Sequence, residues 1–316
     1  MDRDKCKVAV LIPCYNEAVS IAKVVRDFRT SLPEAAIYVY DNNSTDNTAE
    51  LAKAAGAIVR HEPRQGKGAV MRSMFSQIDA DYYVIVDGDD TYQASAAPDM
   101  LNIAISTGAD IVVADRLSST YFTRNKRPFH NSGNRLVRSM INSLFHVHLN
   151  DIMSGYRVLS RDFVKNMPVM TNGFEIETEM TIHALDKNYK IVEVPVEYRD
   201  RPENSHSKLN TFSDGFKVIR IIFSLLRSYR PMLFFSILSV LSLVVAMLLI
   251  VPVLVEYWKT GLVPRFPSLI AGCTFLMLSI LLFVAGMILS GIADNQRRIH
   301  ELLRIHQLNR NTYNNE

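Results

Sequence analysis

The sequence predicts an α/β domain with a mostly parallel sheet, followed by two transmembrane helices. Over the first 115 residues, short apolar runs rich in β-branched residues alternate with helix-like stretches, which is typical of βαβ units. After residue 230 come two long runs without a charged side chain. The 316 residues are 48% hydrophobic and 21% charged, which excludes a disordered, collagen-like or low-complexity protein.

The soluble part is built from alternating strands and helices. The predicted strands are Lys7–Pro13, Ile37–Asp41, Tyr82–Asp87 and Asp110–Ala114. The helices predicted between them are Ala18–Ser31, Asp46–Ala55, Gly68–Ile78 and Ala94–Thr107. Ligands of such sheets bind beyond the carboxyl ends of the strands, so the residues that follow each strand are the candidate site.

Three polar clusters follow predicted strands: Cys14-Tyr-Asn-Glu17, Asp41-Asn-Asn-Ser44 and Asp87-Gly-Asp-Asp90. Gly66-Lys67-Gly68 has neither the spacing of a P-loop nor that of a dinucleotide fingerprint, which disfavours an ATPase or a dehydrogenase. Three scattered cysteines form neither a disulfide framework nor a zinc site. A net charge of only +3 does not indicate a nucleic-acid partner.

Asp87-Gly88-Asp89 can bring two carboxylates to one point, because glycine lets the backbone approach a ligand closely. Oxygen donors of this kind suit Mg²⁺ or Mn²⁺ shared with a diphosphate. Most short acidic triplets are plain turns. At the end of an apolar strand we favour the metal site.

Met232–Val255 and Phe266–Ala293 are uncharged runs of 24 and 28 residues. About 20 apolar residues cross a bilayer core of roughly 30 Å, so both runs are long enough to span it. The alternative is a pair of buried helices inside a soluble domain, which would need helices hydrophobic all round and a much larger protein around them, so we favour the membrane spans.

Flanking charge predicts the orientation of the spans. Four cations lie just before the first span and three just after the second, whereas the connecting loop has two. They are Lys217, Arg220, Arg227 and Arg230, then Arg297, Arg298 and Arg304, against Lys259 and Arg265. The positive-inside rule places the N-terminal domain and the tail in the cytoplasm, and we expect no signal peptide. The expected divisions are 1–210, 211–231, 232–255, 266–293 and 294–316. Segment 211–231 is predicted to be an amphipathic interfacial helix, with a plain linking helix as the alternative.

The motifs, taken in order, resemble glycosyltransferase family 2. They are Ile12-Pro-Cys-Tyr-Asn-Glu17, Asp41 with Ser44-Thr-Asp46, Asp87-Gly-Asp-Asp-Thr-Tyr92, and Arg201 with Ser207-Lys-Leu209. The chain is most similar to the polyprenyl-phosphate glycosyltransferases of that family, which include dolichyl-phosphate mannose synthase and bacterial prenyl-phosphate glucosyltransferases. Asn42-Asn43 departs from the commoner acidic residue and glycine, Asn204 from a glycine, and Thr91 from the glutamine frequent in mannose synthases.

The resemblance implies a Rossmann-like GT-A fold, a nucleotide-sugar donor and the following residue roles. The nucleotide-sugar group comprises Pro13, Tyr15, Glu17, Asp41, Asn43, Lys67, Asp87 and Gly88. Asp87 and Asp89 would bind Mg²⁺ or Mn²⁺, and Arg116, Arg135 and Ser207 would face the acceptor phosphate. The catalytic group comprises Asp89, Arg201, Lys208 and Asp151, whereas Glu175-Ile-Glu177 lies near the acceptor without a single role.

Several of these residues also have plainer interpretations. Glu17 could stabilise a helix N-terminus, and Asp41 could cap a turn. Arg201 and Lys208 could be solvated surface charges. His183, in an apolar helical stretch, is expected in the core rather than at a site.

The expected reaction is transfer of one hexose, with inversion, from a UDP-sugar to undecaprenyl or another polyprenyl phosphate. The acceptor phosphate is largely a dianion at pH 7, since its second pKa is ~6, so a strong general base is not needed. Glucose is favoured, ahead of N-acetylglucosamine and galactose. The alternatives are a GDP-mannose-dependent synthase, a processive polysaccharide synthase, disfavoured by only two spans, and a non-catalytic membrane scaffold. Packing of the spans between protomers is compatible with a homo-oligomer.

Overall fold

A computed structural model of the chain describes residues 6–118, 128–171, 173, 175–199, 223, 226–227 and 229–313. The chain forms two compact units, Met1–Asp214 and Gly215–Glu316. The first unit contains the sheet and the second contains the long apolar helices, so each is described by itself.

The sheet of the first unit has seven strands in the order β3-β2-β1-β4-β6-β5-β7. They are β1 (Val8–Cys14), β2 (Ala36–Asp41), β3 (Ile58–His61), β4 (Tyr82–Ile85), β5 (Ile111–Asp115), β6 (Arg157–Ser160) and β7 (Ile191–Pro195). β6 runs antiparallel to both β4 and β5, and every other pairing is parallel. The predicted α/β class with a mostly parallel sheet is therefore confirmed.

The helices of this unit connect the strands and cover the sheet. They are α1 (Ile21–Ser31), α2 (Thr48–Ala54), α3 (Lys67–Gln77), α4 (Ala97–Thr107), α5 (Pro128–Phe145), α6 (Arg161–Asn166) and α7 (Ile176–Asp186). A single 3₁₀ turn, Ala94–Ala96, precedes α4, so the helix predicted from Ala94 begins three residues later than expected. Pro98 in the first turn of α4 is compatible with a helix start, where its missing N–H is not needed.

Both faces of the sheet are buried, and alternate residues of each strand face opposite sides. On β1, Val10 and Ile12 belong to one apolar cluster with Phe28 of α1. Ala9 and Leu11 belong to the cluster on the other face. This arrangement explains the continuous apolar runs of the central strands, because a strand covered on both faces has no polar side.

The second unit consists of α8 (Pro231–Thr260) and α9 (Phe266–Tyr313), packed against each other. Ser239 Oγ donates to the Ser279 carbonyl at 2.8 Å, and Ser242 Oγ to the Phe275 carbonyl at 2.8 Å. Small and hydroxyl side chains at a helix contact are typical of membrane helix pairs. α9 continues without a break through the predicted span and most of the tail.

Both helices are long and apolar enough to cross a membrane. Only 22% and 11% of their most apolar windows are buried, so within this unit they are not the covered core helices of the alternative interpretation. The helix predicted for 211–231 lies almost wholly outside the described residues, and the predicted segment boundaries remain predictions.

Candidate active site

The loops after β1 and β2 are held together by hydrogen bonds. Asn16 N–H donates to Ser44 Oγ at 2.9 Å, and Thr45 N–H donates to Asn16 Oδ1 at 2.8 Å. Glu17 N–H donates to Thr48 Oγ1 at 2.9 Å. Asn16 has a φ of 53°, a left-handed conformation that asparagine adopts more readily than most residues. The predicted nucleotide-binding loops thus form one wall at the carboxyl edge of the sheet.

Asp41, at the end of β2, is 7% exposed. Its Oδ2 oxygen accepts from Ser44 N–H at 3.4 Å and lies 3.4 Å from Nδ1 of His61. Its Oδ1 oxygen is buried and accepts no hydrogen bond from the part of the chain that the structure describes. The plainer role as a turn residue accounts for one oxygen only, and the other is available to a hydrogen-bond donor on a ligand.

Asn42 and Asn43 hold the loop between β3 and α3. Asn42 Nδ2 donates to the carbonyls of Glu62 and Arg64 at 2.9 and 2.8 Å. Asn43 Nδ2 donates to the Pro63 carbonyl at 2.9 Å. The departure from the family pattern therefore has a structural use, and the amide nitrogen of Asn43 serves this loop.

Glu62 anchors the same loop from inside. It is 3% exposed and accepts from Arg64 Nε at 2.8 Å and from the Ser73 hydroxyl. The Arg64 hydrogen bond, opposed by burial and aided by Ser73, lowers the pKa of Glu62 to about 2. The carboxylate is consequently charged throughout the physiological range.

The Asp87-Gly88-Asp89 turn follows β4 after one residue, Val86. Asp89 is 4% exposed, and its Oδ1 oxygen accepts from Thr91 Oγ1 at 2.6 Å. The Gly88 carbonyl accepts from Ser20 Oγ at 2.7 Å, and a Cβ at Gly88 would lie 2.7 Å from Cys14 Sγ. Glycine is thus required for close packing against the end of β1. Thr91, which departs from the mannose synthase pattern, orients the second acid.

Lys67 lies between two carboxylates. Its ammonium is 2.5 Å from Asp87 Oδ1 and 2.5 Å from Glu177 Oε1, and its side chain is 9% exposed. Burial alone would lower the pKa of Lys67, but Asp87 and Glu177 raise it above the usual lysine value. Lys67 is therefore a fixed cation beside the first acid of the turn.

Arg116 and Asp151 form an ion pair. Arg116 Nε donates to Asp151 Oδ2 at 2.7 Å, and Asp151 is 2% exposed. The Asp151 N–H donates to Glu193 Oε1 at 2.8 Å, and the Arg116 guanidinium lies 5.7 Å from the Tyr198 ring centroid. Arg116 was predicted to face the acceptor phosphate and Asp151 to be catalytic, and the structure brings the two side chains into contact.

Of the remaining predicted site residues, the structure describes some and not others. Pro13 and Tyr15 lie at the end of β1 and just beyond it, and Tyr15 is exposed. Arg135 is an exposed residue of α5. Arg201, Ser207 and Lys208 lie outside the described residues, so their roles remain predictions.

Sequence reasoning missed Arg157, which is fully buried on β6. Its guanidinium donates to the carbonyls of Ile152 and Ser154 at 2.6 and 2.8 Å and to Thr181 Oγ1 at 3.0 Å. Burial lowers the pKa of Arg157, and the nearby carboxylates of Glu177 and Asp151 oppose that shift. A lone arginine in the short run RVLS gives no sequence signal that it is buried.

His183 is buried as expected. It packs beside the rings of Phe163 and Tyr189, with centroids 5.9 and 6.1 Å away. These contacts place it beside the apolar cluster on one face of the sheet.

Among the described residues, no group of three or more His, Cys, Asp or Glu side chains is arranged to hold a metal ion. Mg²⁺ usually keeps several waters and binds through one or two carboxylates together with substrate phosphates. Asp87 and Asp89 fit that kind of shared site, since both are oxygen donors and Asp87 has a side chain 32% exposed.

A protein-family model matches the part of the chain that contains these residues. The model of "Glycosyl transferase family 2" matches residues 9–167, which is half of the chain. The chain belongs to glycosyltransferase family 2. That match begins in β1 and ends just after α6, so it includes both polar loops and the acidic turn.

Relatives of this glycosyltransferase match over most of their length. Glycosyltransferase AglJ of Haloferax volcanii is 32% identical, with 93% of this chain and 98% of AglJ covered. Dolichyl-phosphate hexose transferase of the same organism is 28% identical, covering 66% and 89%. Undecaprenyl-phosphate mannosyltransferase of Micrococcus luteus is 25% identical, covering 68% and 92%. These names support the predicted resemblance to polyprenyl-phosphate glycosyltransferases.

The fold of this glycosyltransferase is also found in solved structures. Glucosyl-3-phosphoglycerate synthase from Mycobacterium tuberculosis, in complex with Mn²⁺, UDP and phosphoglyceric acid, superposes with a TM-score of 0.59 at 21% identity. The match covers 71% of this chain and 78% of that one. The expected GT-A fold is confirmed. Together with the two apolar helices, the matches fit a membrane-associated glycosyltransferase.

Proposed function

We propose that this protein transfers one hexose, with glucose favoured, from a UDP-sugar to a polyprenyl phosphate such as undecaprenyl phosphate. The observation that carries the proposal is the buried Oδ1 oxygen of Asp41, which has no hydrogen-bond donor among the described residues. Asp41 is the last residue of β2. A buried carboxylate oxygen without a donor calls for a partner, and a nucleotide offers base N–H and ribose hydroxyl groups.

Asp87 and Asp89 would hold Mg²⁺ or Mn²⁺ at this site. The ion would supply positive charge for the diphosphate that leaves with the nucleotide. Manganese and UDP occur together in the solved relative, which supports the donor class. Tyr15, Glu17 and Pro13 would line the nucleotide pocket, and Lys67 would add a buried positive charge next to Asp87.

The acceptor needs positioning and charge neutralisation rather than a strong base. A phosphate monoester with a second pKa of ~6 is already a nucleophile at neutral pH. Arg116, Arg135 and Ser207 would face the acceptor phosphate, and Arg201 and Lys208 would offset the charge of both substrates. Single displacement at the anomeric carbon inverts the configuration, which gives a β-linked lipid sugar from an α-linked donor.

The catalytic unit would face the cytoplasm. Polyprenyl-phosphate relatives and two helices of spanning length support a membrane-bound acceptor. Seven cations flank the helix pair and two lie in its loop, and the side with more cations is cytoplasmic by the positive-inside rule. The product would then serve cell-envelope glycan modification.

Transfer of radiolabel into the organic phase tests the proposal. Purified protein in detergent receives undecaprenyl phosphate, Mg²⁺ or Mn²⁺, and labelled UDP-glucose, UDP-N-acetylglucosamine, UDP-galactose or GDP-mannose in parallel. We expect label in the lipid with one UDP-hexose and its loss after addition of EDTA. Folded protein without transfer in any lane would favour the non-catalytic scaffold.

A GDP-mannose-dependent synthase is the second candidate, because one relative is named an undecaprenyl-phosphate mannosyltransferase. Against it, Thr91 stands where mannose synthases often have glutamine, and its hydroxyl is bonded to Asp89 at 2.6 Å. Label in the GDP-mannose lane alone would establish this alternative and exclude the UDP-sugar donor.

A further inference from the structure

Three separate parts of the chain meet around the Asp87 carboxylate. Lys67, at the start of α3, contacts its Oδ1 oxygen at 2.5 Å. Glu177, in the first turn of α7, contacts the same ammonium at 2.5 Å. Gly155, before β6, lies so close that an added Cβ would collide with Oδ2 and come within 3.1 Å of Cγ.

We call Lys67 together with its two carboxylates, Asp87 and Glu177, the bridge. Its three side chains differ in their access to solvent. The side chains of Lys67 and Glu177 are 9% and 7% exposed, whereas that of Asp87 is 32% exposed. One ammonium thus serves two carboxylates, and the bridge carries one excess negative charge. Asp87 is the end of the bridge that a ligand can reach.

Glu177 receives support from its own helix. The Thr181 hydroxyl lies within hydrogen-bond distance of two carbonyls, that of Glu177 at 3.0 Å and that of Ile152 at 3.3 Å, and its single proton serves both. Arg157 donates to the hydroxyl of Thr181 at 3.0 Å. These bonds join the first turn of α7 to the segment that contains Gly155, so Glu177 and Gly155 belong to segments that are hydrogen-bonded to each other.

We propose that Glu177 is a positioning residue for the donor site: it shares the Lys67 ammonium with Asp87, so that Asp87 keeps the orientation and the negative charge that a divalent cation requires. The inference rests on the proposed function, because it concerns the carboxylate assigned there to Mg²⁺ or Mn²⁺. Glu177 itself contacts neither substrate in this proposal.

Glu177→Gln removes the second negative charge but keeps the size of the side chain. Lys67 would then neutralise Asp87 alone, and the affinity for Mn²⁺ should fall about tenfold or more. Turnover at saturating Mn²⁺ should stay close to that of the parent, because the lost interaction acts on cation binding. Glu177→Asp keeps the charge and should restore part of the affinity.

Gly155→Ala tests the same support without changing any charge. No left-handed φ is found at Gly155, so the backbone accepts alanine. Its methyl group must displace the Asp87 carboxylate. We therefore expect weaker Mn²⁺ binding here too, and this variant keeps the proposal testable if Glu177→Gln unfolds.

The experiment is calorimetric titration of MnCl₂ into detergent-purified full-length protein saturated with UDP, repeated with GDP, together with a thermal unfolding curve. Glu179→Gln is the matched control. It lies on the same helix, but its carboxylate bonds Thr171 Oγ1 at 2.6 Å and Met170 N–H at 2.9 Å, away from Lys67. We expect parental Mn²⁺ affinity in this control.

Mn²⁺ binding by the parent tests the proposed donor site, whereas Mn²⁺ binding by the variants tests the positioning role of Glu177. If the parent binds Mn²⁺ with neither nucleotide, the proposed donor site is wrong and this inference falls with it. If the parent binds but folded Glu177→Gln and Gly155→Ala bind within twofold of it, the positioning role is wrong while the proposed function stands. Equal loss in Glu179→Gln would also overturn the role of Glu177, since the effect would not be specific to the bridge.

Discussion

The guanidinium of Arg116 donates from Nε to Oδ2 of Asp151 at 2.7 Å, and the two residues are 35 positions apart in the chain. Asp151 is held in turn by backbone contacts, since its N–H bonds Glu193 and its Oδ1 accepts from Met153 N–H at 3.3 Å. The pair fixes the direction of Arg116, a residue proposed to face the acceptor phosphate. We therefore expect Asp151 to act by orienting Arg116.

Asp151→Asn should lower both stability and acceptor affinity. The amide leaves the mostly buried Arg116 without its counter-charge, a loss of about 1–3 kcal/mol in unfolding free energy. The measurements are thermal unfolding and the KM for undecaprenyl phosphate. Asp79→Asn is the control, because its bridge to Arg161 at 3.0 Å is exposed and should contribute little. A stable Asp151→Asn protein with parental KM would contradict the pairing role.

Asp41→Asn should weaken UDP binding without loss of stability. The buried Oδ1 oxygen bonds none of the described residues, the amide still offers an oxygen to Ser44 N–H, and the contact with the exposed His61 side chain contributes little, so the substitution should cost the folded state little. A hydrogen bond to a charged group contributes about 1.5–3 kcal/mol, which corresponds to roughly 10–100-fold in Kd. Calorimetry with UDP and thermal unfolding measure the two effects. Unchanged UDP affinity would remove Asp41 from the nucleotide site.

Asp89→Asn should abolish most metal-dependent transfer. Loss of one of two carboxylates at the proposed cation site removes several kcal/mol of charge stabilisation, on the order of 10³-fold in rate. The neighbouring Asp90→Asn is the control, because Asp90 bonds Lys23 at 2.8 Å. Radiolabel transfer with Mg²⁺ and Mn²⁺ measures both. Equal activity of the two variants would exclude Asp89 as a metal ligand.

Gly286→Val should separate the two helices of the second unit. An added Cβ at Gly286 would lie 2.9 Å from Phe235 Cβ, whereas nothing lies within 4 Å of a Cβ added at Gly291. Overpacking of this kind costs about 1–3 kcal/mol. Thermal unfolding in detergent should show a lower Tm for Gly286→Val and a parental value for Gly291→Val. The opposite order would show that the helices pack through another face.

Glu62 should make the first unit sensitive to acid. Its pKa is lowered to about 2, chiefly by the Arg64 hydrogen bond, from a usual value of 4.5. A lowered carboxylate pKa stabilises the folded state above the unfolded value, and this stabilisation is lost as pH falls from about 4.5 towards 2. The difference in Tm between the parent and Glu62→Gln should thus be full at pH 7 and shrink below pH 4.5. A difference that does not change with pH would assign the effect to packing.

Much of the fold could be predicted from local patterns. All four predicted strands are present, with ends shifted by one or two residues, since strands buried on both faces leave continuous apolar runs. β3, β6 and β7 were missed because IVRH, RVLS and IVEVP are four or five residues long and contain charged side chains. The acidic turn could be placed at the sheet edge because chain order alone puts it after a strand.

The partners within the site could not be predicted in the same way. Lys67 and Glu177 are 110 positions apart, yet their charged atoms are 2.5 Å apart. The antiparallel strand β6 inserts between β4 and β5 and carries the buried Arg157. No periodicity or motif records such contacts, since they arise only when distant segments pack.

The sequence by itself determined the α/β class, the two apolar helices and the polar ends of the strands, because hydrophobic periodicity and strand order are local properties of the chain. Only the tertiary structure decided that Asn43 serves a neighbouring loop, that Arg116 pairs with Asp151, and that Lys67 connects Asp87 to Glu177. Burial is the physical reason: a charged group removed from water needs a partner, and the partner that is near in space is set by packing rather than by sequence distance.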